Sequence, residues 1–409
     1  MKIKLCVLFG GKSVEHEVSV ISALQAIASI DPAKYDVVPV YITKENEFYT
    51  SFECSCIEEY KNIPALIKKS TRCVLMNMDG RVQLLRYPFK KFGSGVISDI
   101  DVAFPIVHGT NVEDGTLQGY LKTLGLPFVG CDVTASAVGM DKYVMKTVLK
   151  DNGVPVLDCL RFYSSEFSEP EALVARCRER IGYPVIVKPV NLGSSVGISV
   201  AHNDDELFTS LEDAFRFAST VLVERAITNL KEINCSVLGD TSKAEASECE
   251  QPAKSDEILS YENKYLQGGG SKKTGGGSKG MASLARKIPA DITPERREEI
   301  RSLAVKAFQV LGCNGVSRID FMIDMDTDTV YLNEINTIPG SLSFYLWEPL
   351  GVKYTVLLDR MIELALKRKR EEDSIVFSFE TNILNIDRSF GGAKGAKGGK
   401  LGMKSGGKL

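Results

Sequence analysis

A chain of 409 residues is longer than one ordinary hydrophobic core supports, so two or three domains are expected. Its 44% hydrophobic and 25% charged residues describe a soluble globular protein. A formal net charge of −3 gives no general case for nucleic acid, and no run has the length and apolarity of a membrane span.

The start, MKIKLCVLFGG, has the basic residues and short apolar run of a signal peptide. It leads through Gly-Gly into KSVEHEVS rather than a cleavage site, and so reads as a buried first strand. HEVSVISALQAIASI follows as a helix, YDVVPVYI as a strand, and VISDIDVAFPIVHG brings a further strand to a loop. GTLQGYLKTLG is a helix stopped by glycine, and PFVG a short strand. This alternation predicts a parallel sheet with helices on both faces over residues 1–135. Ligands collect at the carboxyl ends of such strands, where Gly10-Gly11 and His108-Gly109 fall.

A second block, 136–225, opens in ASAVGMDKYVMKTVLKDNGV, expected as one helix with lysines on its polar side. The strands YPVIVKPV, ISVA and TVLVERA follow, with the helix DDELFTSLEDAFRFA among them. A third block, 226–372, runs from KEINCSVLG through a glycine-rich passage to the helix PERREEIRSLAVKAFQVLG, a hairpin and a closing helix, KYTVLLDRMIELALKRKR. In the tail, 373–409, VFSFETNILNI reads as a strand or a helix, and the Gly/Lys-rich end is expected to be a disordered, solvated segment. The ten cysteines are scattered and only Cys54 and Cys56 lie close together, without zinc-type partners, so reduced thiols in a cytosolic protein are expected.

The hairpin carries the first chemistry. In YLNEINTIPG, strict alternation puts Glu334 and Asn336 on one face with Leu332, opposite Ile335. The partner strand in SRIDFMIDMDTDTVYL brings Arg318 and Asp320 beside them. An edge strand with a wet face is one reading. The other is a corner of hard oxygen ligands suited to Mg²⁺, with phosphates completing the shell. KPVNLGSSVG supplies an anion site: Lys188 emerges at a sheet edge, and the small residues after it can wrap N–H groups around a phosphate. A plain hairpin turn with a snorkelling lysine is the alternative there. Lys142 and Lys264 add charge, and the passage after YENKYLQGGG has the composition of a lid. No G-x-S-x-G elbow accompanies Ser194, which argues against a serine hydrolase. His16 reads as a helix-start residue and His202 as solvated surface.

Four stretches in order, GGKSVEHEVS, HGTNVEDGTLQG, KPVNLGSSVG and SRIDF with NEINTIPG, resemble the signatures of the D-alanine–D-alanine ligase family of the ATP-grasp superfamily. The resemblance runs from about residue 4 to residue 366 and implies a three-domain α/β ATP-grasp fold whose N-terminal domain is the parallel α/β one. It implies ATP, two Mg²⁺ ions (with Mn²⁺ able to substitute) and D-alanine substrates, in a cytoplasmic homodimer with no specific nucleic-acid or membrane partner. Lys142 and Lys188 would touch the nucleotide phosphates, Ser195 and its neighbours would close over them, and Lys264 would add charge from the mobile loop. Adenine and ribose would lie at Glu224, Arg225 and Ala226, with Glu232 on the ribose hydroxyls. Asp320, Glu334 and Asn336 would hold the metal ions. Glu15 would take the first substrate's ammonium in a trio with Ser194 and Tyr265, and His108 would lie close to that substrate. Arg318 and the N–H of Gly340 would face the tetrahedral carbon. A tyrosine at Tyr265 goes, in the family, with an amine nucleophile and a phenylalanine with D-lactate.

Three departures stand out. Val112 replaces a glycine, the glycine-rich lid is longer, and Tyr345 falls where the family has a serine that holds the second substrate's carboxylate. That last change keeps D-serine open as the second substrate. A non-catalytic nucleotide binder is the alternative from another class, and Arg318 beside the metal corner argues against it.

Overall fold

The computed structural model of the chain describes residues 2–89, 93–193, 197–252 and 286–376. Residues 1–370 form one compact unit and residues 371–409 a second, whose described part carries a Ser374 hydroxyl bonded to the Glu371 carbonyl at 2.6 Å. Ser194, Ser195, Lys264, Tyr265, most of the glycine-rich passage and nearly all of the tail lie outside the described residues. No described helix is long and apolar enough to cross a membrane.

The first sheet holds β1 (Ile3–Gly10), β2 (Tyr35–Ile42), β3 (Phe48–Thr50), β4 (Thr71–Met78), β5 (Arg81–Arg86), β6 (Val96–Asp99) and β7 (Val102–Val107), in the order β6-β5-β4-β3-β2-β1-β7. The predicted parallel part is β2-β1-β7, and an antiparallel run from β3 to β6 extends it. VISDIDVAFPIV divides into β6 and β7 because the Asp101 carboxylate accepts the Lys4 N–H at 2.8 Å and turns the chain between opposite edges of the sheet. PFVG forms only a single bridge, Phe128 to Ala103, before Gly130 turns at φ +96°.

Helices α1 (His16–Ser29), α2 (Ile63–Lys69) and α3 (Thr116–Thr123) accompany this sheet. The expected single helix from Ala135 is two, α4 (Val133–Met140) and α5 (Lys142–Asp151). Asp141 breaks it: its backbone is extended and its carboxylate accepts the N–H groups of Tyr143 and Val144 at 3.0 and 2.9 Å, capping α5. Of the lysines of α5 only Lys150 is exposed, and Lys142 and Lys146 are buried.

The second sheet is antiparallel, in the order β10-β9-β11-β8: β8 (Cys159–Tyr163), β9 (Val185–Pro189), β10 (Ser199–Ala201) and β11 (Thr220–Arg225). Its apolar face packs under α6 (Pro170–Arg180) and α7 (Asp204–Phe215). The third, also antiparallel, is β14-β13-β12-β15-β16: β12 (Leu230–Gly239), β13 (Ala244–Pro252), β14 (Arg286–Lys287), β15 (Gly315–Asp324) and β16 (Thr329–Asn336). Helix α8 (Pro294–Val310) contributes Ile300, Ala304, Ala307 and Phe308 to its core. Helix α9 (Tyr354–Asp373) returns to the first core instead, where Leu357, Leu358, Met361 and Ile362 join β1, β2 and β7. All ten cysteines are free.

Candidate active site

The hairpin of β15 and β16 pairs Asp320 with Glu334 and Arg318 with Asn336, as the sequence predicts. Arg318 grips Asp320 with two parallel bonds, Nε to Oδ1 and Nη2 to Oδ2, each 2.7 Å, and Asn336 Nδ2 donates to Oδ2 at 3.1 Å. Leu332 does not share the Glu334 face. A bulge places Phe321 opposite Leu332 and leaves Asn333 as the extra residue, so Leu332 joins Ile335 in the core. The same bulge lets both Asn333 and Glu334 meet lysines. Asn333 Oδ1 accepts from Lys188 Nζ at 3.1 Å, and Glu334 Oε2 lies 3.2 Å from Lys142 Nζ.

The lysines join this corner to the glycine loop. Lys142 Nζ also donates to the Leu192 carbonyl at 2.9 Å, just before Gly193. Lys188 on β9 and Lys146 on α5 pair with the two oxygens of Glu224, which is fully buried on β11. Burial alone would push the Glu224 carboxyl up, but the Lys188 and Lys146 ammoniums outweigh it and hold it below the usual range. At the same strand end Arg225 pairs with Asp324 at 2.9 Å, and the Ala226 N–H donates to the Pro184 carbonyl at 3.0 Å. Glu232 is exposed on β12.

The opposite wall comes from the first sheet. Glu15 lies at the start of α1 with its carboxylate against two glycines: a Cβ at Gly109 or at Gly193 would come within 3.1 Å of Glu15 Oε2. Gly109 has φ +84° and would also meet Ser13 Oγ at 2.3 Å, so no larger residue fits there. Val112 is buried and fills the space above Gly11, where a Cβ would approach it to 2.5 Å. His16 begins α1 with its ring bonded to the Gly11 carbonyl at 2.7 Å and the Tyr41 hydroxyl at 3.0 Å, a structural histidine. His202 is exposed.

His108 is buried and fully bonded. Its Nδ1–H donates to the Ile338 carbonyl at 2.7 Å, and Nε2 accepts the Ser22 hydroxyl at 3.1 Å. Burial is the main cause lowering its pKa to about 4, with the Arg318 charge adding to it against the Ile338 bond. Glu113 is buried four residues from Gly109: one oxygen accepts the Gly109 N–H at 3.0 Å, the other the Ile338 N–H at 2.8 Å and the Thr337 hydroxyl at 3.2 Å. Burial and then the Glu15 charge raise it to about 7. These shifts act oppositely on stability. Buried neutral His108 makes stability rise with pH between about 4 and 6.5, because the unfolded imidazole binds the proton more tightly. Glu113 makes it fall between 4.5 and about 7, because the folded carboxyl binds the proton more tightly. Urea denaturation across that second window should show Glu113→Gln gaining on the wild type by up to about 3 kcal/mol as pH rises.

Gly340 opens a short turn in which Ser341, Leu342 and Ser343 take φ of 52°, 50° and 50°. Such left-handed backbone costs roughly 1–2 kcal/mol per residue for side chains other than glycine. Tyr345 is buried under Arg286, whose guanidinium carbon sits 3.9 Å from the ring centre. Its hydroxyl donates to Glu250 at 3.3 Å, which also accepts from Asn234 at 3.0 Å and Arg286 at 2.8 Å. Burial pushes the phenol up to about 12. Lys146, Asn333, Glu113 and Glu250 are site residues that motif reading did not assign; Lys146, one turn from Lys142, carried a signal in that spacing.

Residues 4–131 match the family described as "D-ala D-ala ligase N-terminus" and residues 148–363 the one described as "D-ala D-ala ligase C-terminus". The chain belongs to the D-alanine–D-alanine ligase family. The D-alanine–D-alanine ligase of Thermosipho melanesiensis is 38% identical over 94% of this chain and 99% of its own length. That of Thermoanaerobacter sp. strain X514 is 41% identical over 91% and 98%. Among solved structures, the D-alanine-D-alanine ligase from Coxiella burnetii matches with a TM-score of 0.75 at 29% identity, covering 91% of this chain and 96% of that one. The VanG D-Ala:D-Ser ligase from Enterococcus faecalis matches at 0.73 and 29%, covering 89% and 100%. Within this family the multi-domain α/β architecture has ATP-grasp topology.

Among the described residues no three of His, Cys, Asp and Glu gather as a metal cage. The donor set that does fit Mg²⁺ is two carboxylates and an amide, Asp320, Glu334 and Asn336, an incomplete oxygen shell of the kind phosphates finish. Burial raises the Asp320 carboxyl against the pull of Arg318, and Glu334 and Glu250 raise it further, so this corner gains from a bound cation.

Proposed function

We propose that this chain joins two D-alanine molecules at the expense of ATP, giving D-alanyl-D-alanine, ADP and phosphate for peptidoglycan precursors. One observation carries the reading: Lys142 bridges the glycine loop at Leu192 to Glu334, beside the Arg318–Asp320 pair. Phosphate-binding and carboxylate-activating groups thereby converge. Lys142 and Lys188 hold the ATP phosphates, Lys264 adds charge and Ser195 covers them, and Glu224, Arg225, Ala226 and Glu232 border the nucleoside. Asp320, Glu334 and Asn336 hold two Mg²⁺ ions, which supply charge neutralisation at the phosphate oxygens when bound.

Glu15, supported by Ser194 and Tyr265, receives the first D-alanine's ammonium, and His108 borders that substrate. A carboxylate oxygen of this D-alanine attacks the terminal phosphorus of ATP and ADP leaves, giving an acyl phosphate. The second D-alanine's neutral amine attacks the acyl carbon, Arg318 and the Gly340 N–H stabilise the oxyanion, and phosphate departs as the amine loses its proton. The same reading has residues 1–135, 136–225 and 226–372 acting as three domains ahead of the 373–409 tail, in a cytoplasmic homodimer.

Turnover should require Mg²⁺ and D-alanine together and release ADP, measured by ion-exchange chromatography; AMP and pyrophosphate would defeat the mechanism. A second reading, D-serine as second substrate, is favoured by Tyr345, a hydroxyl-bearing residue bonded to Glu250 at 3.3 Å where the family has the serine of the second pocket. Competition of D-alanine, D-serine and D-lactate at limiting ATP, read by mass spectrometry, separates the two. Dominant D-alanyl-D-lactate would contradict the Tyr265 expectation.

A further inference from the structure

Three successive left-handed residues without a glycine, Ser341 to Ser343, follow directly on Gly340. Strain of this kind persists only where the surroundings over-determine it. The surroundings here come from α1 and the loop after β7. Glu113 accepts the Thr337 hydroxyl and the Ile338 N–H, and His108 donates to the Ile338 carbonyl. Ser22 accepts the Ser341 N–H at 2.9 Å, and the Ser341 hydroxyl donates to Gln25 at 2.7 Å. The groups of Ile338 are therefore held at both N–H and carbonyl. Only Pro339 separates that residue from Gly340, and its φ of −70° is fixed by its ring. The Gly340 N–H thus lies between two anchored residues, Ile338 before it and Ser341 after it.

We propose that Glu113 is a positioning residue that, with Ser22 on the far side, aims the Gly340 amide for the bond-forming half of the reaction. It touches no reacting atom. The inference rests on the ligase reading above, in which that amide stabilises the tetrahedral oxyanion. A carboxylate suits the task, because its two oxygens accept from Gly109 on one side and from Thr337 and Ile338 on the other. Glutamine replaces one of those acceptors by a donor, and the Gly109 or the Ile338 N–H then faces another N–H.

The test compares two rates in the full chain. Positional exchange of ¹⁸O within ATP, in the presence of D-alanine, reports reversible formation of the acyl phosphate. Dipeptide release reports both halves. In Glu113→Gln the exchange rate should stay within about threefold of wild type while dipeptide release falls at least about tenfold, a fraction of the loss expected for removing an oxyanion donor outright. Ser22→Ala, which keeps Glu113 but loses both the Ser341 anchor and the hydroxyl that bonds His108 beside Ile338, should move the ratio in the same direction by less. Should Glu113→Gln fail to fold, Ser22→Ala decides alone. Proportional loss of both rates, or an unchanged ratio, would overturn the proposal. A wild-type protein that made no dipeptide would instead remove the ligase reading on which it rests.

Discussion

Glu224→Ala is expected to destabilise the protein by about 3–5 kcal/mol, the scale for removing one partner of a buried ion pair. Glu224 is fully buried and faces two ammonium groups. Lys188 keeps the Asn333 amide oxygen when the carboxylate goes, whereas Lys146 loses the acid it pairs with, at a site that water does not reach. Urea denaturation midpoints with unchanged slope would measure the loss, and saturating ATP should recover part of it by setting phosphate charge against Lys188. A variant as stable as wild type would mean that Lys146 had found water, and the closed lysine–acid arrangement would be wrong.

Glu334→Gln should lower turnover by about 100- to 1,000-fold, the range for losing a major preorganised electrostatic contact. The exchange keeps size and removes the charge that faces Lys142 and stands opposite Asp320 in the hairpin. Asn336→Ala should cost less, since it removes a neutral oxygen. Steady-state rates over a Mg²⁺ titration separate the two. Near-wild-type turnover of Glu334→Gln at low Mg²⁺ would show that the ion is held elsewhere.

Much of this site was legible in the sequence because its residues sit at fixed offsets within single elements. Arg318 and Asp320 alternate on one strand, Glu334 and Asn336 on the next, and a short polar turn left little choice of register. The bulge at Asn333 was not legible, because strict alternation carries no sign of an inserted residue; it moved Leu332 to the core and brought an amide to Lys188. Strand β13 was missed for a different reason. AEASECEQP reads as wet, yet Glu248 and Glu250 are buried against Arg297 and Arg286, partners far off in the chain. Glu113 was visible as a motif acid, but its work is done on Ile338, 225 positions away. Local patterning reports elements well and long-range pairing of charged groups poorly.

The return of α9 to the first core has a consequence for the order of events during synthesis. Leu346, Trp347, Leu357, Leu358 and Ile362 complete a core whose other walls are β1, β2, β7 and α1, and Asp359 bonds Lys34 and Tyr35 beside it. A ribosome adding about 5–20 residues per second needs on the order of 10–50 s to pass from the end of that first block to α9. During that interval the nascent N-terminal sheet exists with one apolar wall uncovered. The last of the described helices to emerge is the one that shuts the first core to be built, so a ribosome that stops short of α9 leaves a sticky product and a natural client for chaperones.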